Sequence, residues 1–301
     1  MLRPPSLQCN DKAVVLSPAG KIESYMVHDA AAVLESWGLH PVIAGNALLE
    51  AGRFSGSVEA RLDDLQQAFD DPAVKLILCS RGGYGVVHLL NRLNFSKIRK
   101  KPKWVVGYSD ITALHAAMQR HGIASVHGPM ARHFSDEGSE DVAVRLTKNM
   151  LYGQPVTYEI PVTGMGKLNR EGVATGRLFG GNLSVFCSLL GTPYLKIPHG
   201  GILFIEDTGE VPYRVDRMIW QLKLAGVFKK ISGLIVGHFS DYEEDDQMYF
   251  PLRQSISEAL RQYAFPVCFD FPVGHTKLNL PLLMGMKASL SVKSHFINFQ
   301  Q

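Results

Sequence analysis

The stretch WVVGYSDITALHAAM, Trp104 to Met118, decides how the chain is read. An apolar run, Trp104 to Val106, stops at Gly107. Tyr108, Ser109 and Asp110 follow, and then Ile111, Leu114, Ala117 and Met118 recur at helical spacing. The pattern predicts a buried strand, a tight corner and a helix, with a serine at the corner. Upstream the same alternation repeats. Ala13 to Leu16 (AVVL) ends at Ser17-Pro18-Ala19-Gly20, and Ile22, Met26, Val33, Leu34 and Trp37 then share a helical face. Pro41 to Ala44 (PVIA) reads as a second strand, Val58 to Phe69 as a polar helix, and Leu76 to Cys79 (LILC) as a third strand. Short apolar strands separated by helices predict a mainly parallel sheet covered on both faces. Ligands of such sheets lie beyond the carboxyl ends of the strands. Chemistry is therefore expected in three loops: SPAG, SRGGYG and GYSD.

The 301 residues, 46% hydrophobic and 20% charged, suit a globular protein of one large domain or two ordinary ones. A formal charge of +3 argues for neither a nucleic-acid nor a membrane partner. No apolar run approaches the roughly 20 residues that span a bilayer. The stretch MLRPPSLQCNDKAVVL lacks the apolar core of a secretion signal, so a cytoplasmic location is expected. Cys9, Cys79, Cys187 and Cys268 are far apart and form no CxxC pair, which points to neither a zinc site nor a disulfide framework.

The character changes between about Asn149 and Gly172, a stretch holding Gly153, Pro155, Pro161, Gly164, Gly166 and Gly172. It reads as a connection. Beyond it, Gly201 to Ile205 (GILFI) and Gly233 to Val236 (GLIV) look like strands. Between them Val215, Met218, Ile219, Leu222 and Ala225 share a helical face, and Leu252, Ile256, Ala259, Leu260 and Tyr263 do so later. The tail, Leu290 to Phe299, reads as two strands with a turn at Lys293-Ser294. The expected fold class is α/β. Residues 1–150 form a mainly parallel sheet domain with a corner like a nucleophile elbow, 151–172 a linker, and 173–301 a smaller α/β or α+β domain.

A serine on a sharp strand-to-helix turn is exposed, rigid and close to unpaired helix N–H groups that can stabilise an oxyanion. Gly107 leaves room for the turn, and Asp110 suits the positive end of the helix dipole. The match to G-x-S-x-G is partial, because Ile111 stands where the second glycine would be. Helix capping is the other reading of Ser109. A serine nucleophile needs a base and an orienting acid. Two histidines follow an apolar strand and a glycine: His238 in LIVGHFSD and His275 in FPVGHTKLN. Glu206 follows the apolar run of ILFIEDTGE, where a carboxylate is costly unless solvated or used. Asp207 and Glu210 read as its solvated neighbours. In SRGGYG, Gly82, Gly83 and Gly85 permit close backbone approach to a ligand. The loop has neither the dinucleotide G-x-G-x-x-G nor the P-loop order. It suits a second source of oxyanion-binding N–H groups, with Arg81 available for a carboxylate.

Together AVVLSPAG, SRGGYG, GYSDIT, LFGGNLSVF (Leu178–Phe186), LFIEDTGE and PVGHTKLNLPLLMG (Pro272–Gly285) resemble the LD-carboxypeptidase family of serine peptidases, which includes the murein tetrapeptide carboxypeptidases and microcin immunity hydrolases. The resemblance implies a Ser–His–Glu triad: Ser109 as nucleophile, Glu206 as acid and His275, rather than His238, as base. It maps the oxyanion hole to the backbone N–H groups of Gly83 and Asp110. It implies a cytoplasmic homodimer that needs no metal or other cofactor and acts on a small muropeptide, releasing a C-terminal D-alanine in cell-wall recycling. Arg81 is the candidate for the substrate's terminal carboxylate. The alternatives are an amidase on the same scaffold that acts on a peptide–nucleotide toxin, and a peptide-binding homologue without turnover.

Overall fold

Those apolar runs form the central strands of two sheets in a computed structural model of the chain, which describes residues 1–162 and 168–301. In chain order the first elements are β1 (Lys12–Leu16), α1 (Ser24–Ser36), β2 (His40–Ile43), α2 (Val58–Asp70), β3 (Val74–Cys79), α3 (Ser96–Lys100), β4 (Trp104–Gly107), α4 (Thr112–Arg120), β5 (Ser125–His127), α5 (Ala131–Glu137) and α6 (Val142–Leu151). They are followed by β6 (Thr157–Pro161), β7 (Gly172–Asn182), α7 (Leu183–Ser188), β8 (Gly201–Thr208), α8 (Pro212–Leu224), β9 (Ile231–Ser240) and α9 (Leu252–Ala259). The last strands are β10 (Val267–Cys268), β11 (Leu282–Met284), β12 (Lys287–Val292) and β13 (Phe296–Gln300). The chain divides into two units, Met1–Gln154 with Leu280–Gly285, and Pro155–Asn279 with Met286–Gln301.

In the first unit a six-stranded sheet runs in the order β11-β5-β4-β3-β1-β2. β1 to β5 pair in parallel, and β11 is antiparallel to β5. Trp104, Val105 and Val106 are fully buried in β4, each contributing about 1.5–3 kcal/mol by leaving water. The strand order reverses between β1 and β3, because β2 leaves on one side of β1 and β3 on the other. Such a switch point opens a crevice at the carboxyl ends. SPAG after β1, SRGGYG after β3 and GYSD after β4 all lie at that end. α2 starts where Ser57 accepts from the Ala60 N–H at 3.1 Å, and α6 where Asp141 accepts from Ala143 and Val144.

The second unit carries a sheet in the order β10-β9-β8-β7-β12-β13-β6. β7 to β10 are parallel, and β12, β13 and β6 complete it antiparallel. β8, buried from Gly201 to Asp207, is covered on both faces, which explains its unbroken apolar run. Phe186, Ile219, Phe228 and Ile256 belong to the core on one side of it.

Two sequence expectations about organisation differ from what the structure places. Inside the expected 151–172 connection, β6 pairs antiparallel with β13; Pro161 is tolerated because β6 is an edge strand. Gly164 and Gly166 lie outside the described residues. Inside the expected 173–301 domain, Leu280–Gly285 return to the first unit, where β11 lays three buried residues against the open edge of β5. Short apolar strands do not declare their sheet; an unpaired edge decides it. No helix among the described residues is long and apolar enough to cross a membrane.

Candidate active site

Ser109 stands two residues beyond the carboxyl end of β4 with φ at +62°. A non-glycine residue there is strained. Ser109 begins the tight turn Ser109–Ile111 that leads into α4, and no side chain caps that turn or the helix. The capping reading of Ser109 therefore fails. Gly107 allows the corner because a Cβ on it would sit 2.9 Å from Ile111 Cγ1. Behind the corner His115 is buried, and its Nε2 lies 2.8 Å from the Gly107 carbonyl oxygen, which can only accept. Nε2 thus carries the proton, and Nδ1 accepts from the Ser125 hydroxyl at 2.8 Å. Burial lowers the His115 pKa to about 4, which keeps the ring neutral in this role.

The glycine loop after β3 packs directly on the serine. A Cβ on Gly82 would approach Ser109 Cβ to 2.7 Å, Ser109 Oγ to 2.9 Å and the Asp110 nitrogen to 3.2 Å. Gly83, at φ +101°, is exposed and lies against Gly20 of the SPAG loop. The Gly20 N–H donates to the Gly82 carbonyl at 2.9 Å. Ser109, Asp110, Gly82 and Gly83 are therefore neighbours, as an oxyanion-binding corner requires. Arg81 is exposed, and its Nη1 donates to the Lys21 carbonyl at 3.0 Å.

In the second unit Glu206 is fully buried at the carboxyl end of β8. The segment that follows β10 brings His275 to it: Nδ1 and Glu206 Oε2 are 2.8 Å apart. An ionised carboxylate accepts only, so Nδ1 donates and Nε2 remains the nitrogen that can take up a proton. Burial acts to lower the His275 pKa, but the hydrogen bond and charge of Glu206, with Asp207 and Asp241 behind it, prevail and raise it. The fit depends on glycine. Gly274 has φ +127°, and a Cβ there would lie 3.1 Å from Glu206 Oε2. Its N–H donates to Asn279 Oδ1 at 3.0 Å. His238 lies within β9 and binds Val273 through its backbone N–H; burial lowers its pKa.

Asp207 corrects the expectation that it is solvated. It is 2% exposed and accepts from Asn182 Nδ2 at 2.7 Å and from the Ser184 N–H at 2.9 Å. It is held by the start of α7, whose N–H groups replace water as donors. The sequence signals also did not single out Arg61. Nothing in its local spacing marks it, since its partners, the carbonyls of Pro18 and Gly85, are remote in the chain.

A family model described as the LD-carboxypeptidase N-terminal domain matches residues 14–128, and one described as the LD-carboxypeptidase C-terminal domain matches residues 175–290. A Bacillus subtilis protein named a probable murein peptide carboxypeptidase is 35% identical over 96% of this chain and 91% of its own length. The murein tetrapeptide carboxypeptidase of Pseudomonas aeruginosa is 28% identical over 93% of this chain and 92% of its own. The crystal structure of muramoyltetrapeptide carboxypeptidase from Oxalobacter formigenes superimposes with a TM-score of 0.87 at 30% identity, covering 96% of this chain and 98% of that one. These similarities define a carboxypeptidase hydrolase of mixed α/β architecture. The chain belongs to the LD-carboxypeptidase family.

Proposed function

We propose that the protein is a serine LD-carboxypeptidase that hydrolyses the amide between an L-configured centre and a C-terminal D-amino acid, with murein tetrapeptide losing D-alanine as its reaction. Ser109 is the nucleophile. His275 takes its proton through Nε2 and returns it to the leaving amine. Glu206 holds the imidazole in the required tautomer and stabilises its charged form. The backbone N–H groups of Asp110 and Gly83 receive the oxyanion, where one donor is worth about 3 kcal/mol of transition-state stabilisation. Water then releases the acyl group. Arg81 binds the terminal carboxylate. The enzyme works in the cytoplasm as a homodimer and without a metal.

One observation carries this reading: a serine at φ +62° at the carboxyl end of β4, packed against Gly82. A cap needs no such strain, whereas a nucleophile gains exposure and aim from it. Support also comes from the Glu206–His275 bond and from the carboxypeptidase activity for which the Pseudomonas and Oxalobacter relatives are named. The test is mass spectrometry of murein tetrapeptide incubated with wild type and with Ser109→Ala. Loss of one D-alanine with wild type alone is the expected result. Equal loss with both proteins would remove Ser109 from the mechanism, and no loss with either would redirect the search to another amide substrate. Light scattering of the purified protein checks the homodimer.

A further inference from the structure

An oxyanion hole made of backbone N–H groups is only as good as the aim of its loop, which must hold to about 0.5 Å. The loop after β3 is poorly suited to hold itself. Gly82, Gly83 and Gly85 fall within four residues, and Gly83 and Gly85 take φ values of +101° and +132°. Glycine gives access to these conformations and loses the most backbone entropy in adopting one of them.

Two buried charged side chains grip this loop. Arg61 of α2 is 2% exposed. Its Nη1 donates to the Gly85 carbonyl and to the Pro18 carbonyl, each at 3.0 Å, and so ties the SRGGYG loop to the SPAG loop. Phe54 lies under the guanidinium, with Cζ 5.0 Å from the ring centroid. A Cβ on Gly85 would strike Nη1 at 2.6 Å, so this residue has to be glycine for the arginine to reach. Asp110, also 2% exposed, accepts from the Val86 N–H at 2.8 Å through Oδ2. Asp110 immediately follows Ser109, so its side chain fastens the glycine loop to the serine's own turn. Burying a guanidinium and a carboxylate is expensive, and apolar packing would stabilise the unit at least as well. These bonds instead converge on the loop that packs directly on Ser109.

We propose that Arg61 and the Asp110 carboxylate are positioning residues that clamp the Gly82–Val86 loop on the Ser109 turn and so keep the oxyanion-binding N–H groups aimed. The role rests on the serine-peptidase reading above and gives the Asp110 side chain a task separate from that of its backbone N–H.

The test combines kinetics with amide hydrogen exchange measured by mass spectrometry on the full-length protein. Arg61→Gln and Asp110→Ala are the truncations, and either suffices if the other fails to fold. Each is expected to lower kcat for D-alanine release about 30-fold while KM stays within about threefold. Exchange should quicken about tenfold in the peptide covering 82–86 and stay unchanged in β4 and α1. Asp110→Asn keeps an acceptor for the Val86 N–H and should recover kcat to within about fivefold of wild type. Wild-type kcat and wild-type loop exchange in both truncations would overturn the clamp. So would exchange that quickens throughout the first unit while kcat and KM change together, the mark of a merely structural role. A wild-type protein that releases no D-alanine would sink the proposed function instead; the loop exchange would then decide the clamp alone.

Discussion

The carboxyl end of the sheet in the first unit and its counterpart in the second are built from different materials. The parts packed directly on Ser109 are backbone: a strained φ, a glycine pressed on the serine and the Asp110 nitrogen beside it, with the Arg61 and Asp110 side chains holding the loop from outside. Around Glu206 they are side chains: a buried carboxylate, an imidazole 2.8 Å away and a second acid behind them. The first end is governed by shape and the second by charge. Added bulk should damage the one most, and a change of charge the other.

The largest effects come from removing the reactive groups. Ser109→Ala should abolish D-alanine release, and Glu206→Gln should lower kcat by about 10³–10⁴, as loss of the acid does in other triads, with little change in melting temperature. Similar losses from Glu206→Gln and from a mere repacking change nearby, such as Val236→Ala, would break the distinction between charge and shape. Next comes Gly82→Ala. The added Cβ would sit 2.7 Å from Ser109 Cβ, so kcat should fall about 100-fold and stability by about 1–3 kcal/mol, read from turnover and thermal melting. Wild-type turnover in this variant would show that the loop does not bear on the serine.

A subtler effect lies in pH. General-base action needs neutral His275, and the Glu206 hydrogen bond and charge hold its pKa above the ordinary histidine value. The acid limb of kcat/KM should therefore have its midpoint above about 6.5. Glu206→Gln should move that midpoint down. Because the folded pKa is the higher one, protonated His275 contributes stability in full below the unfolded value, and the contribution is lost as pH rises through the folded pKa. Melting temperatures on either side of that window check the sign. The smallest effect is expected at Asp207, which anchors the start of α7. Asp207→Ala should cost about 1–3 kcal/mol through the unsatisfied Asn182 and Ser184 donors, with a minor effect on kcat. A loss of kcat as large as that of Glu206→Gln would make it part of the acid–base end.

Much of this was legible in local pattern. The strand–corner–helix at Trp104–Met118, the glycine loop at Ser80–Gly85 and the Glu206 carboxylate after ILFI each announced itself within about ten residues. Two histidines in near-identical contexts were not distinguishable in that way. His238 lies within a regular strand, whereas His275 lies in an irregular segment whose Gly274 backbone lets the ring meet Glu206. Asp207 beside it was misread as solvated because its donors, Asn182 and Ser184, come from another strand and helix.

The sequence by itself determined the central strands and the amphipathic helices it read, and their order, because hydrophobic period and turn residues act between near neighbours. It also determined which residue types were available for acyl transfer. Tertiary structure alone decided which sheet Leu282–Met284 would join, that Asp207 would be buried, and that Arg61 of α2 would reach the carbonyls of Pro18 and Gly85. Those outcomes depend on which strand edge is open and which backbone groups lack a partner once the chain is packed, and contacts between residues far apart in the chain settle both.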